Sequence, residues 1–87
     1  MTRKDQQPRH LRRIDPEQNM RRFYVLMLQP TLFGGASVVR TWGRIGTAGQ
    51  TMMETFDQQD SADTAFTLLE RRKRRRGYQD VYHLQAG

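Results

Sequence analysis

The hydrophobic positions of this chain form short runs with the two-residue period of β-strands, followed by one run with a helical period. Phe23 to Leu28 (FYVLML) is the strongest strand signal, because the run is aromatic and β-branched at its start and too short for a typical helix. Both of its faces are apolar, which predicts a central strand with cover on each side or a helix on one. Pro30 ends this strand, and residues 31–36 predict a connecting loop.

Three further segments have strand character. Residues 11–14 predict a short edge strand that Asp15 and Pro16 end, with a turn over residues 17–19. Residues 37–45 and 50–56 predict two strands joined as a hairpin by the turn Gly46–Gly49. Because side chains alternate along a strand, one face of the 37–45 strand carries Val38, Arg40, Trp42 and Arg44, and the other carries Val39, Thr41, Gly43 and Ile45.

One helix is predicted after these strands, with Asp60 or Ser61 as its N-cap and Gly77 as its stop. Residues 78–84 predict a short last strand. The side that this helix turns toward the sheet is defined by Ala62, Ala65, Phe66 and Leu69, which follow helical spacing. The predicted fold class is therefore α+β, an antiparallel β-sheet with one α-helix packed across it.

A length of 87 residues permits one small domain. We expect a disordered basic tail over residues 1–10, a single domain over 11–84 and a C-terminal end over 85–87. The chain has no cysteine, which excludes disulfides and thiolate metal sites. No apolar run approaches the ~20 residues of a membrane span, and we expect no secretory signal. We expect a cytoplasmic protein with no membrane partner, and its oligomeric state stays open.

The formal net charge is +6, from 15 lysines and arginines against 9 acidic residues. Arginine supplies all but two of these cations, and it is the side chain suited to bidentate phosphate contacts and to stacking. Six consecutive cations stand at the predicted helix end: Arg71, Arg72, Lys73, Arg74, Arg75 and Arg76. The alternative is a solvated terminus matched to the helix dipole. We favour phosphate contact, because this density of charge costs repulsion that an anion relieves.

Trp42, the only tryptophan, lies between Arg40 and Arg44 at two-residue spacing. On a strand the three side chains share one face, so an aromatic plate would stack on a sugar or base while two guanidiniums hold phosphate. The alternative is a tryptophan packed into the core with its indole N–H paired. The two interpretations differ in whether water reaches the ring in the unliganded protein.

These landmarks resemble the WGR domain, a family named after its Trp-Gly-Arg signature. The matching stretches are 22–26 (RFYVL), 32–35 (LFGG), 40–46 (RTWGRIG) with Gly49 and Gln50, and 73–78 (KRRRGY), in the same order as in the family. They cover roughly residues 11–80, which is far more specific than the tripeptide alone. The resemblance implies an antiparallel sheet with a helix against it. WGR domains occur in the DNA-damage-dependent poly(ADP-ribose) polymerases and in short standalone bacterial proteins, which this chain looks like.

In those polymerases the domain binds near a DNA break, with the signature tryptophan against the sugar at the strand end. The resemblance implies this role for Trp42. Arg44 matches the signature arginine, which in the polymerases contacts neighbouring domains as well as lying near DNA. The sequence contains no polymerase catalytic domain, helical regulatory domain or zinc finger, so damage signalling is not implied for it.

The sequence therefore predicts a non-catalytic nucleic-acid-binding module that prefers ends or nicks of duplex DNA, with DNA favoured over RNA. The alternative is a protein-interaction module that docks an acidic partner domain. No cofactor is expected, because the glycines of residues 43–49 lack dinucleotide or P-loop spacing. The aspartates of residues 57–63 lack the spacing of a calcium loop, so no metal site is expected. No nucleophile lies in a pattern with a base, so no catalytic residue is expected.

Overall fold

The structure is a computed structural model that describes residues 7–81. Its elements are β1 (Arg9–Asp15), a short 3₁₀ turn (Pro16–Gln18), β2 (Met20–Pro30), β3 (Ala36–Arg44), β4 (Gln50–Phe56), α1 (Gln59–Arg75) and β5 (Gln79–Asp80). The strands form one antiparallel sheet in the order β4-β3-β2-β1-β5. The helix α1 packs on one side of it, against β2, β3 and β4. The predicted α+β class is confirmed.

The strand boundaries follow the sequence closely: β3 is shifted by one residue from the predicted 37–45, and larger differences occur at β1, β2 and β5. β1 begins at Arg9, inside the segment predicted as a tail, and β2 extends beyond both ends of the predicted 23–28. β4 has the predicted bounds, and β2 lies at the centre of the sheet as predicted. β5 is only two residues long, and residues 82–84 of the predicted last strand lie outside the described residues.

The turn between β1 and β2 is built by local hydrogen bonds. The carboxylate of Asp15 accepts a hydrogen bond of 3.2 Å from the backbone N–H of Glu17. Asn19 adopts a left-handed conformation with φ of 53°, which asparagine tolerates better than most residues, and its N–H donates to the Pro16 carbonyl. The turn predicted over residues 17–19 is confirmed, and it sets the register of the two strands.

The core lies between α1 and the even-numbered side chains of β2. Tyr24 and Leu26 are buried there against Ala62 and Phe66 of the helix. Burial of a large apolar side chain contributes about 1.5–3 kcal/mol, so these contacts hold the helix on the sheet. The predicted helical stripe is confirmed, since its other two members are half-buried against the same cluster.

The start of α1 differs from the prediction. Gln58 occupies the N-cap and makes no side-chain capping bond, so the predicted caps Asp60 and Ser61 are wrong and both lie in the first turn. Asp60 still places negative charge near the helix N-terminus, where it is favourable. The helix ends just before Gly77, whose φ is +100°, as predicted. Within residues 7–81, no helix combines the length and apolar character that a membrane crossing requires.

The turn between β3 and β4 requires glycine at two positions. Gly46 and Gly49 have φ values of +98° and +74°, in the left-handed region. A Cβ at Gly49 would overlap the carbonyl oxygen of Trp42 and lie 2.8 Å from the ring of Phe23, whereas a Cβ at Gly46 would meet nothing within 4 Å. The predicted turn is confirmed, and close packing is found at Gly49 but not at Gly46.

We expect Gly49→Ala to lower the free energy of unfolding more than Gly46→Ala. Both changes strain the backbone by about 1–2 kcal/mol, but only Gly49→Ala adds an overlap that costs a further ~1–3 kcal/mol. Urea denaturation of the two variants, compared at equal m-values, measures the difference. Equal losses of stability would contradict the close approach of Gly49 to Trp42.

Candidate nucleic-acid interface

Three arginines line up across neighbouring strands on the side of the sheet that faces α1. Arg13 of β1 is directly opposite Arg22 of β2, and Arg22 is directly opposite Arg44 of β3. We call these residues the arginine row. Opposite residues have Cα atoms about 4.5–5.5 Å apart, and like charges at that spacing destabilise a sheet. No member forms an ion pair with another residue of the described chain, so their repulsion is uncompensated there.

Trp42 lies two residues before Arg44 on β3, on the same side of the sheet, and directly opposite Tyr24. It is half-buried and packs against the buried core cluster. The guanidinium carbon of Arg40 lies 5.7 Å from the centre of the indole ring, within the range of a cation–π contact. The ring is therefore fixed by the core on one part of its surface and stays accessible on another. The two interpretations drawn from the sequence, a ring packed in the core and a ring exposed for stacking, each describe part of its environment.

The accessible part of Trp42 lines a cleft at this end of the sheet. The cleft has a volume of about 560 Å³ and lies between the start of β2 and the turn that joins β3 to β4. This volume is within the ~300–1,000 Å³ of typical ligand sites. Arg21, Arg22 and Arg44 line it, and no carboxylate among residues 7–81 does. Amide and hydroxyl groups complete the wall, from Gln18, Asn19, Thr47 and Gln50.

Lys73 of α1 reaches toward the same region from the helix side. Its Nζ lies 4.7 Å from the centre of the Tyr24 ring and 5.1 Å from that of Tyr78. Burial lowers the pKa of Lys73 below its ordinary value of 10.5. Three guanidinium groups lower this pKa further, those of Arg76, Arg40 and Arg22. The ammonium group is thus held among like charges and two aromatic rings.

The hydroxyl group of Tyr24 is buried beside this cluster. It has no hydrogen-bond partner of normal geometry among the described residues. Burial raises the pKa of Tyr24, and the nearby Arg40 guanidinium opposes that rise only in part. Tyr24 therefore stays neutral at physiological pH and does not offset the surrounding positive charge.

The six cations predicted at the helix end do not act as one surface. Arg74 forms ion pairs with Glu70 and with Asp80, each with Nη2 2.9 Å from a carboxylate oxygen. The hydrogen bond to Asp80 is the main cause that raises the pKa of Arg74. Glu70 also pairs with Arg9 at 3.2 Å, so Arg9 is a structural residue of β1 and not part of a loose tail. Arg74 and Arg9 hold α1 to the sheet and are already neutralised.

The remaining cations of the helix end divide by position. Arg76 is exposed, whereas Lys73 is half-buried. Arg72 lines a groove with Arg40, between α1 and β4, and Arg71 lines a separate pocket along the helix. Of the predicted site residues, the structure brings Trp42 and Arg44 into the cleft and places Arg40, Lys73 and Arg76 beside it. Arg71, Arg72 and Arg75 are exposed along the helix.

Part of this cleft is formed by residues outside the predicted site. Arg21 and Arg22 line it, and Arg13 extends the arginine row. The signal that could have found this row is the register of the two hairpins, which brings Arg13, Arg22 and Arg44 to the same level. No group of three or more metal-ligating side chains is found among residues 7–81.

Comparisons with known proteins give one family and one relative. A family model described as the WGR domain matches residues 7–85. The protein named Uncharacterized protein y4dW, from Sinorhizobium fredii, is 46% identical to this chain over 69 residues. That match covers 79% of this chain and 34% of the relative, so the chain spans about a third of the relative's length. No solved structure matches the chain significantly.

We expect the charge of Lys73 to make stability depend on pH. Between the lowered pKa of Lys73 in the fold and 10.5, the unfolded chain binds more protons than the folded one, so the free energy of unfolding rises with pH. Lys73→Met removes this contribution and keeps the apolar stem. The free energy of wild type minus that of Lys73→Met should therefore increase with pH over this window. Urea unfolding at successive pH values measures it, and a difference that does not change with pH would be the contrary result.

Proposed function

Because the chain belongs to the WGR domain family, we propose that it is a non-catalytic nucleic-acid-binding module that recognises ends or nicks of duplex DNA. Nucleic-acid binding by the WGR domain in related proteins supports this proposal. The observation that carries it is the position of a half-buried tryptophan beside unpaired arginines in a cleft without carboxylates. Such a cleft attracts a polyanion and offers a flat surface for stacking.

Trp42 is the stacking surface in this proposal. Since the core already fixes the ring, stacking on it costs little conformational entropy. A nucleotide at a strand end or a nick has a face that no neighbouring base covers, whereas one inside an intact duplex is stacked on both sides. Stacking on an aromatic ring is worth about 1–3 kcal/mol per base, so the preference for ends arises from Trp42.

Arg22 and Arg44 hold the phosphates next to the stacked nucleotide. Their guanidinium groups present paired donors that match phosphate oxygens, and bound phosphate removes the repulsion within the arginine row. Lys73 and Arg76 extend the positive surface toward the end of α1, while the exposed Arg71, Arg72 and Arg75 add longer-range attraction. Contacts to the backbone carry no base information, so sequence specificity is low.

The alternative is a module that docks an acidic protein domain, since the same arginines would accept carboxylates. The aromatic wall of the cleft favours nucleic acid over such a partner, because carboxylates gain nothing by stacking on Trp42. Duplex DNA is favoured over single-stranded RNA because Tyr24 and Tyr78, the other aromatics that would stack on unpaired bases, are buried.

We expect Trp42→Ala to weaken binding to nicked or blunt-ended DNA by about 5- to 150-fold, the equivalent of the lost stacking. Phe33→Ala is the matched control, because Phe33 is an aromatic side chain that is 93% exposed in the loop between β2 and β3, at the opposite end of that hairpin. Fluorescence anisotropy with blunt, nicked, phosphorylated and circular DNA, and with an acidic protein, measures both variants. Equal affinity for circles and ends, or for DNA and the acidic protein, would support the alternative.

The salt dependence of binding separates the arginines in the cleft from those that are already paired. If about five phosphates are neutralised, the slope of log K against log salt is near −4.5. We expect Arg44→Gln to make this slope less steep by about one unit, and Arg74→Gln to leave it unchanged because Arg74 is held by Glu70 and Asp80. Titrations at four or more salt concentrations test this. A flat salt dependence of the wild type would rule the mechanism out.

A further inference from the structure

β4 forms one edge of the sheet, and no described residue pairs with its outer side. Exposed edge strands usually carry lysine, proline or a bulge that prevents pairing with another chain. β4 (QTMMETF) has neither lysine, arginine nor proline, and Glu54 is its only charge. Met52 and Met53 are 47% and 58% exposed. In a chain of net charge +6, this edge is where a second copy can approach with little electrostatic repulsion.

We propose that β4 pairs antiparallel with β4 of a second copy across a two-fold axis at Met53, so that two five-stranded sheets join into one. Met53 is the central residue of the strand 50–56, and this register therefore uses the whole strand. It places Thr51 opposite Thr55 of the partner subunit, a pairing that is favourable across strands. Both copies of α1 then lie on the same side of the joined sheet.

The same register supplies complementary charge. Met52 would be opposite Glu54 of the partner subunit, and Nη2 of Arg40 lies 2.8 Å from Sδ of Met52. The partner's Glu54 therefore comes within reach of Arg40. Within the described chain, Glu54 forms no ion pair, so its carboxylate is available for this contact. The two-fold axis creates the contact twice.

The pairing also completes an apolar stripe on the side of the sheet away from α1. Met27 is opposite Val39, and Val39 is opposite Met53, so the stripe runs to the free edge of β4 and stops there. In the proposed dimer it continues through Met53 of the partner subunit. On the helix side, Leu68 is 46% exposed and lines a groove with Glu54, which the second copy would border. Apolar surface is covered on both sides of the joint.

Other registers are less favourable. A two-fold axis at Glu54 would set the two carboxylates directly opposite each other, which destabilises a strand pair. An axis at Met52 would leave Phe56 without a partner residue. The self-complementary arrangement about Met53 is the reason that a second copy, and not an unrelated strand, fits this edge.

Sedimentation equilibrium and light scattering over a concentration series test the proposal on the full chain. We expect wild type to dimerise and Met53→Lys to be monomeric, because it sets two ammonium groups at the axis. Met27→Lys, the same change on the same side of the sheet but in the central strand, should still dimerise. A wild type that stays monomeric throughout, or a dimer that Met53→Lys leaves intact, would overturn the proposal.

A cysteine at the axis tests the register itself. The chain has no cysteine, so Met53→Cys introduces a single thiol that the axis would place next to its own copy, within the Cα separation that a disulfide requires. We expect mild oxidation to cross-link Met53→Cys and not Ala48→Cys, at an exposed turn position. Glu54→Arg should weaken the dimer by about tenfold, because two cross-strand pairs become repulsive, and Arg40→Glu in the same chain should restore it. A dimer without the Met53→Cys cross-link would place the interface elsewhere.

Discussion

The antiparallel register of β2 with its two neighbours is the constraint that organises this molecule. It places Tyr24 opposite Trp42, in the layer that α1 covers, and places Arg22 two residues earlier, opposite Arg44. A slip of one residue would turn Arg22 and Tyr24 to the other side of the sheet, and the core and the cleft would be lost together. Packing of the helix therefore fixes where the positive charge of the sheet is presented.

The arginines of the fold fall into two groups, one that forms ion pairs and one that does not. Arg9 pairs with Glu70 and Arg74 pairs with Asp80, and these contacts hold the helix to β1 and β5. The arginine row has no such partners within residues 7–81, and Lys73 is desolvated beside it. Unpaired like charges lower the stability of the unliganded protein, and a bound polyanion would recover that energy. Arg9 and Arg74 thus stabilise the fold, whereas the arginine row is available to contact an anion.

Much of this arrangement was predictable from local sequence, and the remainder depended on contacts between distant residues. The apolar run of β2, the bounds of β4 and the helical stripe were visible because period and turn residues are local signals. The ion pair between Arg9 and Glu70 was not, because the two residues are 61 positions apart in sequence. The place of Arg22 in the cleft was not predicted for a similar reason, since it depends on the register across two hairpins.

The residues that lie on the side of the sheet away from α1 are determined by the same alternation of side chains. Successive side chains of β3 alternate between the two sides of the sheet, so Arg40 and Trp42 face the helix and Val39 faces away from it. There Val39 aligns with Met27 and Met53. Positive charge accordingly gathers at the end of the sheet where β1, β2 and β3 meet, while β4 stays nearly neutral. A small basic domain associates with itself most readily where it carries few like charges. The neutral edge and the basic cleft therefore lie on different parts of the sheet, and use of the edge leaves Trp42 and the arginine row accessible.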